Sequence, residues 1–263
     1  MVPMGTEQAG GGTRPTERRS QDFVDYERVA ELYRRGRTLP AEVLDRSGRA
    51  VRPHIPPAAL RVIDVGAGAG VFTRAWAHWA RANVLAVEPA AAMIAAALRS
   101  DPGLTFVRAC AEDLPLADAS IDVGWISAAL HHFSEPNEAA GELCRVLRRG
   151  GRALVRTYVP GRTAVSFAAA FPGRSKWESR FHDEEQLVAL FTGCGFKLVA
   201  VEDVLEWTEP YAASADWASM MRHADSMLTA LTDDEIATGL EALRSQPNRI
   251  GRLELTLLVF ERR

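Results

Sequence analysis

The segment VIDVGAGAGVF, residues 62–72, constrains the fold of this chain more than any other. An apolar stretch that contains one acid, Asp64, runs directly into glycines at alternate positions, Gly66, Gly68 and Gly70, before apolar residues resume. Glycine loses more backbone entropy on folding than any other residue, so this spacing needs a structural reason. We expect a strand, a glycine turn and the start of a helix, with a bulky ligand lying against the bare backbone of the turn.

Short apolar segments alternate with segments of helical periodicity on both sides of this turn. Strands are predicted at 61–65, 83–88, 104–109, 121–127 and 152–158. The helices predicted between them cover 70–81, 90–99 and 136–147. Strands separated by single helices form right-handed βαβ units, and these build a parallel sheet that is covered on both faces. The rest of the pattern predicts a helix at 183–193, a strand at 196–204, helices within 209–245 and a closing strand at 253–261.

The composition fits one generous domain and excludes several classes of function. The 263 residues are 47% hydrophobic, and a net charge of −3 argues against a general nucleic-acid-binding surface. The cysteines at 110, 144 and 194 lack the spacing of a metal site, so we expect buried thiols in a reducing cytoplasm and no bound metal. The N-terminus has no apolar signal-peptide core, and no apolar run approaches the roughly 20 residues that cross a bilayer. We expect a soluble cytoplasmic protein.

The order of the predicted strands and helices suggests four segments within a single structural domain. We expect a disordered tail, an N-terminal helical lid, a ligand-binding core, and a last segment that completes the sheet and adds a helical substrate cap. Their predicted bounds are 1–20, 21–56, 57–160 and 161–263. Large aromatic residues are dense in the last segment, where some would form core and others an apolar pocket for a small ligand. They are Phe167, Phe171, Trp177, Phe181, Trp207, Tyr211 and Trp217.

Two acids indicate what the glycine turn binds. Glu88 ends the second strand, 24 residues after Asp64, where a carboxylate accepts hydrogen bonds from both hydroxyls of a ribose. The glycines follow the pattern GxGxG, and Val71 stands where the dinucleotide motif GxGxxG requires its last glycine. Asp64, beside the turn, suits a ligand with a positively charged amino group better than a pyrophosphate. A nucleoside with a cationic end fits both acids.

At this point the chain resembles a known family. The segments VIDVGAGAG, VEPAAAMIAAA, ACAEDLPLADASIDV, SAALHHF and ELCRVLRRGGRALV are similar, in order, to motifs of the class I S-adenosylmethionine-dependent methyltransferases, in particular the small-molecule branch with a methyltransferase type 11-like domain. The resemblance covers residues 23–158. It implies an α/β fold, with a doubly wound, Rossmann-like, mostly parallel seven-stranded sheet, an antiparallel last strand and a helical cap. It also implies S-adenosyl-L-methionine as cofactor.

The resemblance assigns residues to the cofactor. Asp64 and the turn backbone would hold its methionine part, Glu88 its ribose, and Met93 its adenine face. Cys110 stands where many relatives carry an aspartate, so the acceptor for the adenine amine stays open. The full set assigned to the cofactor is Arg37, Asp64, Gly66, Ala67, Gly68, Gly70, Glu88, Pro89, Met93, Ala111, Glu112 and Ser127.

The implied activity is transfer of a methyl group to oxygen, nitrogen or carbon of a small molecule, such as a specialised metabolite. His131 and His132 follow the fourth strand and are the candidate catalytic bases, because histidine titrates near neutral pH. Adjacent side chains usually point apart, so we expect at most one of them to face the pocket. Arg156 and Tyr158, at the end of the fifth strand, are candidates to orient an acceptor.

Two alternatives remain open from the sequence. One is a nicotinamide-dependent oxidoreductase, which uses a similar strand, glycine turn and helix. The other is a non-catalytic protein that binds S-adenosylmethionine as a sensor or scaffold. The sequence does not indicate the acceptor or the oligomeric state.

Overall fold

The computed structural model describes residues 24–36, 39–57 and 61–263. The tail predicted at 1–20 and the candidate Arg37 lie outside the described residues. No helix in the described ranges combines the length and the apolar character that crossing a bilayer demands.

The strands form one seven-stranded sheet in the order β3-β2-β1-β4-β5-β7-β6. Strands β1 to β5 run parallel, whereas β7 is antiparallel to both β5 and β6. The predicted mostly parallel sheet with an antiparallel last strand is therefore confirmed. The bounds are β1 Arg61–Val65, β2 Asn83–Val87, β3 Phe106–Val107, β4 Ile121–Ser127, β5 Leu147–Thr157, β6 Phe196–Pro210 and β7 Ile250–Arg262.

Helices cover both faces of this sheet. The α-helices among the described residues are α1 Tyr26–Gly36, α2 Ala41–Val51, α3 Val71–Ala80, α4 Ala91–Ser100, α5 Pro136–Val146, α6 Ser175–Glu178, α7 Glu184–Gly193, α8 Tyr211–Met221, α9 Ser226–Thr229 and α10 Asp233–Arg244. Successive strand residues point to opposite faces. Trp125 of β4 thus packs with Trp76 and Trp79 of α3 on one face, and Ile126 joins the core that α5 and α7 cover on the other.

Several strands have other bounds than predicted. β3 keeps only two of the six residues predicted, 104–109. β5 begins at Leu147, directly after α5, so the Arg-Arg-Gly-Gly segment belongs to the strand, with Gly150 at φ +71°. β6 continues to Pro210, past the predicted end at 204, because β7 pairs with it along its whole length. Pairing with a neighbouring strand thus outweighs the low β propensity of Glu206, Glu209 and Pro210.

The helices that follow β6 form a second core beside the sheet. Helices α8, α9 and α10 pack around Met221, Leu228 and Leu243, which are fully or almost fully buried. Helix α10 starts with a capping box, in which Thr232 and Glu235 satisfy each other's backbone N–H groups. Residues of α8 and α9, namely Trp217, Ser226 and Met227, line a cavity at the end of the sheet where β1, β2, β4 and β5 terminate.

Candidate active site

A cavity of about 1310 Å³ opens at the carboxyl ends of the parallel strands. Ligands of open α/β sheets bind at this edge, because the loops after neighbouring strands meet there. The cavity is lined by α1, by the loops after β1, β2 and β4, and by the helices of the last segment. The predicted residues that line it are Asp64, Gly66, Ala67, Gly68, Glu88, Pro89, Met93, Ala111, Glu112, Ser127, His131 and His132.

The three glycines of the turn have left-handed φ angles, +73° for Gly66, +54° for Gly68 and +75° for Gly70. Their contacts differ. A Cβ on Gly66 would lie 2.6 Å from the Cβ of Ala129, and one on Gly70 would lie 2.8 Å from Cδ1 of Leu104. The left-handed conformation thus favours glycine at all three positions, and at Gly66 the Cβ of Ala129 also leaves no room for a side chain. The expectation that a ligand explains all three glycines is too broad, and Gly70 does not line the cavity.

Asp64 at the end of β1 is a buried acid, 2% exposed. Its pKa is raised to about 7, mainly by burial; the hydroxyl of Thr73, which donates to Oδ2 at 2.6 Å, opposes this rise in pKa, and the nearby carboxylate of Glu88 adds to it. A buried carboxylate with a raised pKa ionises more readily when a cation binds beside it. The chemistry of this acid thus fits the cationic amino group of a bound nucleoside.

Two further carboxylates organise the loops around the cavity. Glu88, 6% exposed, accepts the N–H of Gly68 at 2.9 Å and the N–H of Ala90 at 3.0 Å, so it joins the glycine turn to the start of α4. Glu112 accepts the N–H of Ser134 at 2.8 Å, just before α5. Both predicted cofactor acids therefore also have a structural role in the protein.

The N-terminal helix α1 forms one wall of the cavity. Glu27 accepts hydrogen bonds from the N–H groups of Ala91 and Ala92, at 2.7 and 2.8 Å. Helix α4 has no side-chain cap of its own, because Ala90 occupies its N-cap position. The carboxylate of Glu27 thus caps α4 from another helix, where it also meets the positive end of the helix dipole. Sequence reasoning missed this residue, since a cap normally comes from the same segment.

Both histidines line the cavity, so the expectation that at most one faces it is wrong. They lie in a short 3-10 turn, Leu130–His132, which directs both rings to the same side, with centroids 3.9 Å apart. His132 Nε2 lies 3.2 Å from the hydroxyl of Tyr26 on α1. The ring of His131 stacks on Phe181, with centroids 4.2 Å apart. One histidine therefore contacts the N-terminal helix and the other the last segment.

One part of the cavity wall, formed by residues that follow β5 in the sequence, is mainly aromatic. The rings that line it are Tyr158, Phe167, Trp177, Phe181, Trp207 and Trp217. We call this part the aromatic chamber. Phe171 and Tyr211, which the sequence grouped with these rings, are buried core instead. The hydroxyl of Tyr158 donates to Glu178 at 3.0 Å, and burial together with this bond raises the pKa of Tyr158 to about 12.

Arg156 makes a set of contacts that the sequence did not predict. Its Nε donates to Oε1 of Glu206 at 3.0 Å, and its Nη2 lies 2.5 Å from Oε2 of the same carboxylate. Its Nη1 donates to the hydroxyl of Ser127 at 2.8 Å. Glu206 is fully buried. Its position within an otherwise apolar stretch of β6, VLEW, was the available signal. Among the described residues, no group of acids, histidines and cysteines is arranged to hold a metal ion.

The methyltransferase domain family matches residues 63–155. The malonyl-[acyl-carrier protein] O-methyltransferase of Pectobacterium atrosepticum is 34% identical over 137 residues, which cover 52% of this chain and 49% of the relative. The chain thus spans about half the length of the curated relatives that it matches.

Solved structures share the fold at lower identity. The [4+2]-cyclase SpnF superposes with a TM-score of 0.63 and 20% identity, over 90% of this chain and 94% of that one. The geranyl diphosphate C-methyltransferase of Streptomyces coelicolor, solved with S-adenosyl-L-homocysteine, gives a TM-score of 0.53 and 14% identity, over 83% and 79%. The domain match, the relative and the seven-stranded architecture agree: residues 63–155 form a methyltransferase domain, and the sheet has the Rossmann-like fold of the class I S-adenosylmethionine-dependent methyltransferases.

Proposed function

We propose that this protein transfers the methyl group of S-adenosylmethionine to an oxygen, nitrogen or carbon atom of a small molecule. The observation that carries the proposal is the pair of buried acids, Asp64 and Glu88, on either side of the glycine turn at the carboxyl edge of the sheet. The relative solved with S-adenosyl-L-homocysteine supports the same cofactor. We propose S-adenosyl-L-methionine as this protein's cofactor.

The residues of the cavity suit the parts of this cofactor. The carboxylate of Asp64 would pair with the amino group, because burial makes its charge costly without a cation. Glu88 would accept the ribose hydroxyls. Met93 is almost fully buried in the cavity wall and would pack on the adenine, next to Pro89. Ala111, Glu112, Ser127 and the backbone of residues 66–68 complete this half of the cavity.

The bound cofactor supplies an electrophilic methyl group on a sulfonium. The protein aligns the acceptor with that methyl group and excludes water, since in-line displacement depends mainly on alignment. When the acceptor atom carries a proton, the imidazole of His131 or His132 would take it, because both rings line the cavity beyond Ser127. Helix α1, within residues 21–56, would act as a lid, and residues 161–263 would complete the sheet and cap the acceptor.

The alternatives make different demands on the same cavity. A nicotinamide dinucleotide would bring a pyrophosphate close to Asp64 and Glu88, which disfavours it. The named cyclase is a precedent for a protein of this fold that catalyses a different reaction, so binding of the cofactor does not by itself establish methyl transfer.

Calorimetry with S-adenosylhomocysteine and with NADH tests the cofactor. We expect S-adenosylhomocysteine to bind and NADH not to bind; binding of NADH alone would reverse the assignment. Transfer of radiolabelled methyl from S-adenosylmethionine to a panel of phenols, alcohols and amines then tests activity. With an acceptor in hand, His131→Ala and His132→Ala are compared by single-turnover rates at saturating cofactor. If neither slows the chemical step, neither histidine is the base.

A further inference from the structure

The arginines that line the cavity are already paired with acids. Among the described residues these arginines are Arg28, Arg108 and Arg156. Arg28 lies 3.2 Å from Asp25, and Arg108 lies 3.8 Å from Glu27, both on the side of α1. Arg156 lines the same cavity as the aromatic chamber, where its guanidinium contacts Ser127 and Phe72. A positive charge at a cavity wall attracts an anion unless an acid compensates it.

Glu206 holds the guanidinium of Arg156 in a bidentate geometry. This is the arrangement in which arginine binds a carboxylate or phosphate most strongly. Because Glu206 is fully buried and Arg156 is only 5% exposed, little water screens the pair. A remaining N–H of Arg156 is used by Ser127, and the ring of Phe72 lies 4.9 Å from the guanidinium carbon. An anionic acceptor would have to displace Glu206 to reach this arginine.

Other charged groups of the chamber also disfavour an anion. Glu209 lines it, with one carboxylate oxygen accepting the hydroxyl of Ser214 at 2.7 Å. Asp225 lines it too, and its Oδ1 accepts the N–H groups of Met227 and Leu228. The remaining surface is aromatic. Like charges held close together repel each other, whereas flat apolar groups gain from contact with the rings.

We propose that the acceptor is a ring-bearing molecule without a carboxylate or phosphate group, and that the Arg156–Glu206 pair excludes anionic acceptors. This rests on the proposed function, because it names the acceptor class of that site. Removal of Glu206 would expose the positive charge of Arg156 to the chamber. Removal of Arg156 would instead leave the negative charge of Glu206 uncompensated, in addition to Glu209 and Asp225.

Two fluorescent probes with the same ring skeleton test the proposal. N-phenyl-1-naphthylamine is uncharged, and 8-anilino-1-naphthalenesulfonate carries a sulfonate. Both are titrated into the protein saturated with S-adenosylhomocysteine. We expect the neutral probe to bind at least about tenfold more tightly. Equal affinity, or tighter binding of the sulfonate, would overturn the proposal.

Matched variants separate a charge effect from a loosened fold. Glu206→Gln should tighten binding of the sulfonate about tenfold or more and leave the neutral probe within about threefold. Arg156→Met should bind the sulfonate probe more weakly than the parent protein does. Each variant removes one partner of a buried pair, so general loosening would raise sulfonate binding in both, and that result contradicts the proposal. The double variant Arg156→Met/Glu206→Met should keep the preference for the neutral probe, since an apolar pair of similar volume replaces the ions.

Binding of S-adenosylhomocysteine is measured separately by calorimetry before the probes are added. If S-adenosylhomocysteine does not bind, the proposed function is contradicted. If S-adenosylhomocysteine binds but the protein shows no preference between the probes, only the proposed class of acceptor is contradicted.

Discussion

The hydroxyl of Tyr26 lies 3.2 Å from Nε2 of His132, and the two rings meet edge to face with centroids 5.5 Å apart. Tyr26 belongs to α1, whereas His132 follows β4 at the centre of the sheet. The N-terminal helix therefore touches one of the two candidate bases directly. If α1 is a lid, its position also decides how this imidazole is oriented.

We predict that Tyr26→Phe slows methyl transfer about three- to tenfold at saturating cofactor. One hydrogen bond contributes about 0.5–1.5 kcal/mol, and each 1.4 kcal/mol changes a rate tenfold. The substitution keeps the ring and removes only the hydroxyl, so single-turnover rates report the orientation of His132.

The control for Tyr26 is a double-mutant cycle with His132→Ala. If the hydroxyl acts through His132, Tyr26→Phe has no further effect in that background. An equal loss in both backgrounds would assign the effect to the lid alone.

The raised pKa of Asp64 predicts that the affinity of the protein for S-adenosylhomocysteine rises with pH. Its pKa is raised to about 7 in the ligand-free protein, and the cationic amino group pairs only with the ionised form. Below pH 7 the carboxyl must lose a proton before it binds, so affinity falls with decreasing pH and levels off above 7. We expect binding about tenfold weaker at pH 6 than at pH 8 by calorimetry.

Asp64→Asn provides the control for this pH dependence. The asparagine does not titrate, so the variant should bind weakly with a flat profile between pH 6 and 8. A profile that keeps the slope of the parent protein would assign the titration to another group.

Glu88→Ala should weaken binding of S-adenosylmethionine by about 1–3 kcal/mol, the cost of leaving hydrogen-bonding groups unpaired. The same carboxylate also accepts the N–H of Gly68 and Ala90, so the variant loosens the glycine turn. Glu88→Gln separates the two effects, because the amide oxygen can still accept one of these N–H groups. We expect Glu88→Gln to keep the melting temperature closer to the parent value while calorimetry still shows weakened binding. Unchanged affinity in a folded Glu88→Ala protein removes Glu88 from the ribose site.

The sequence predicted the sheet because each central strand is a local apolar segment next to its own helix. It predicted the cavity lining for the same reason, since the residues after β1, β2 and β4 meet wherever parallel strands end. It missed features that depend on distant segments. The pairing of β6 with β7 sets the length of both strands, and Glu206 meets Arg156 only after that pairing forms. The shared orientation of His131 and His132 comes from a short 3-10 turn, which local propensity does not reveal.

Substitution of Glu27 tests how firmly α1 is attached to the start of α4. Its carboxylate caps α4 through the N–H groups of Ala91 and Ala92, and loss of a helix cap costs about 0.5–2 kcal/mol. We predict that Glu27→Ala lowers the free energy of unfolding by that amount in urea titrations. Hydrogen exchange should then show faster opening of α1 and of the first turn of α4. Glu241→Ala, an exposed acid on α10, is the control and should change stability by less than about 0.5 kcal/mol. If both variants unfold at the same urea concentration as the parent, the contact between Glu27 and α4 does not hold the helix in solution.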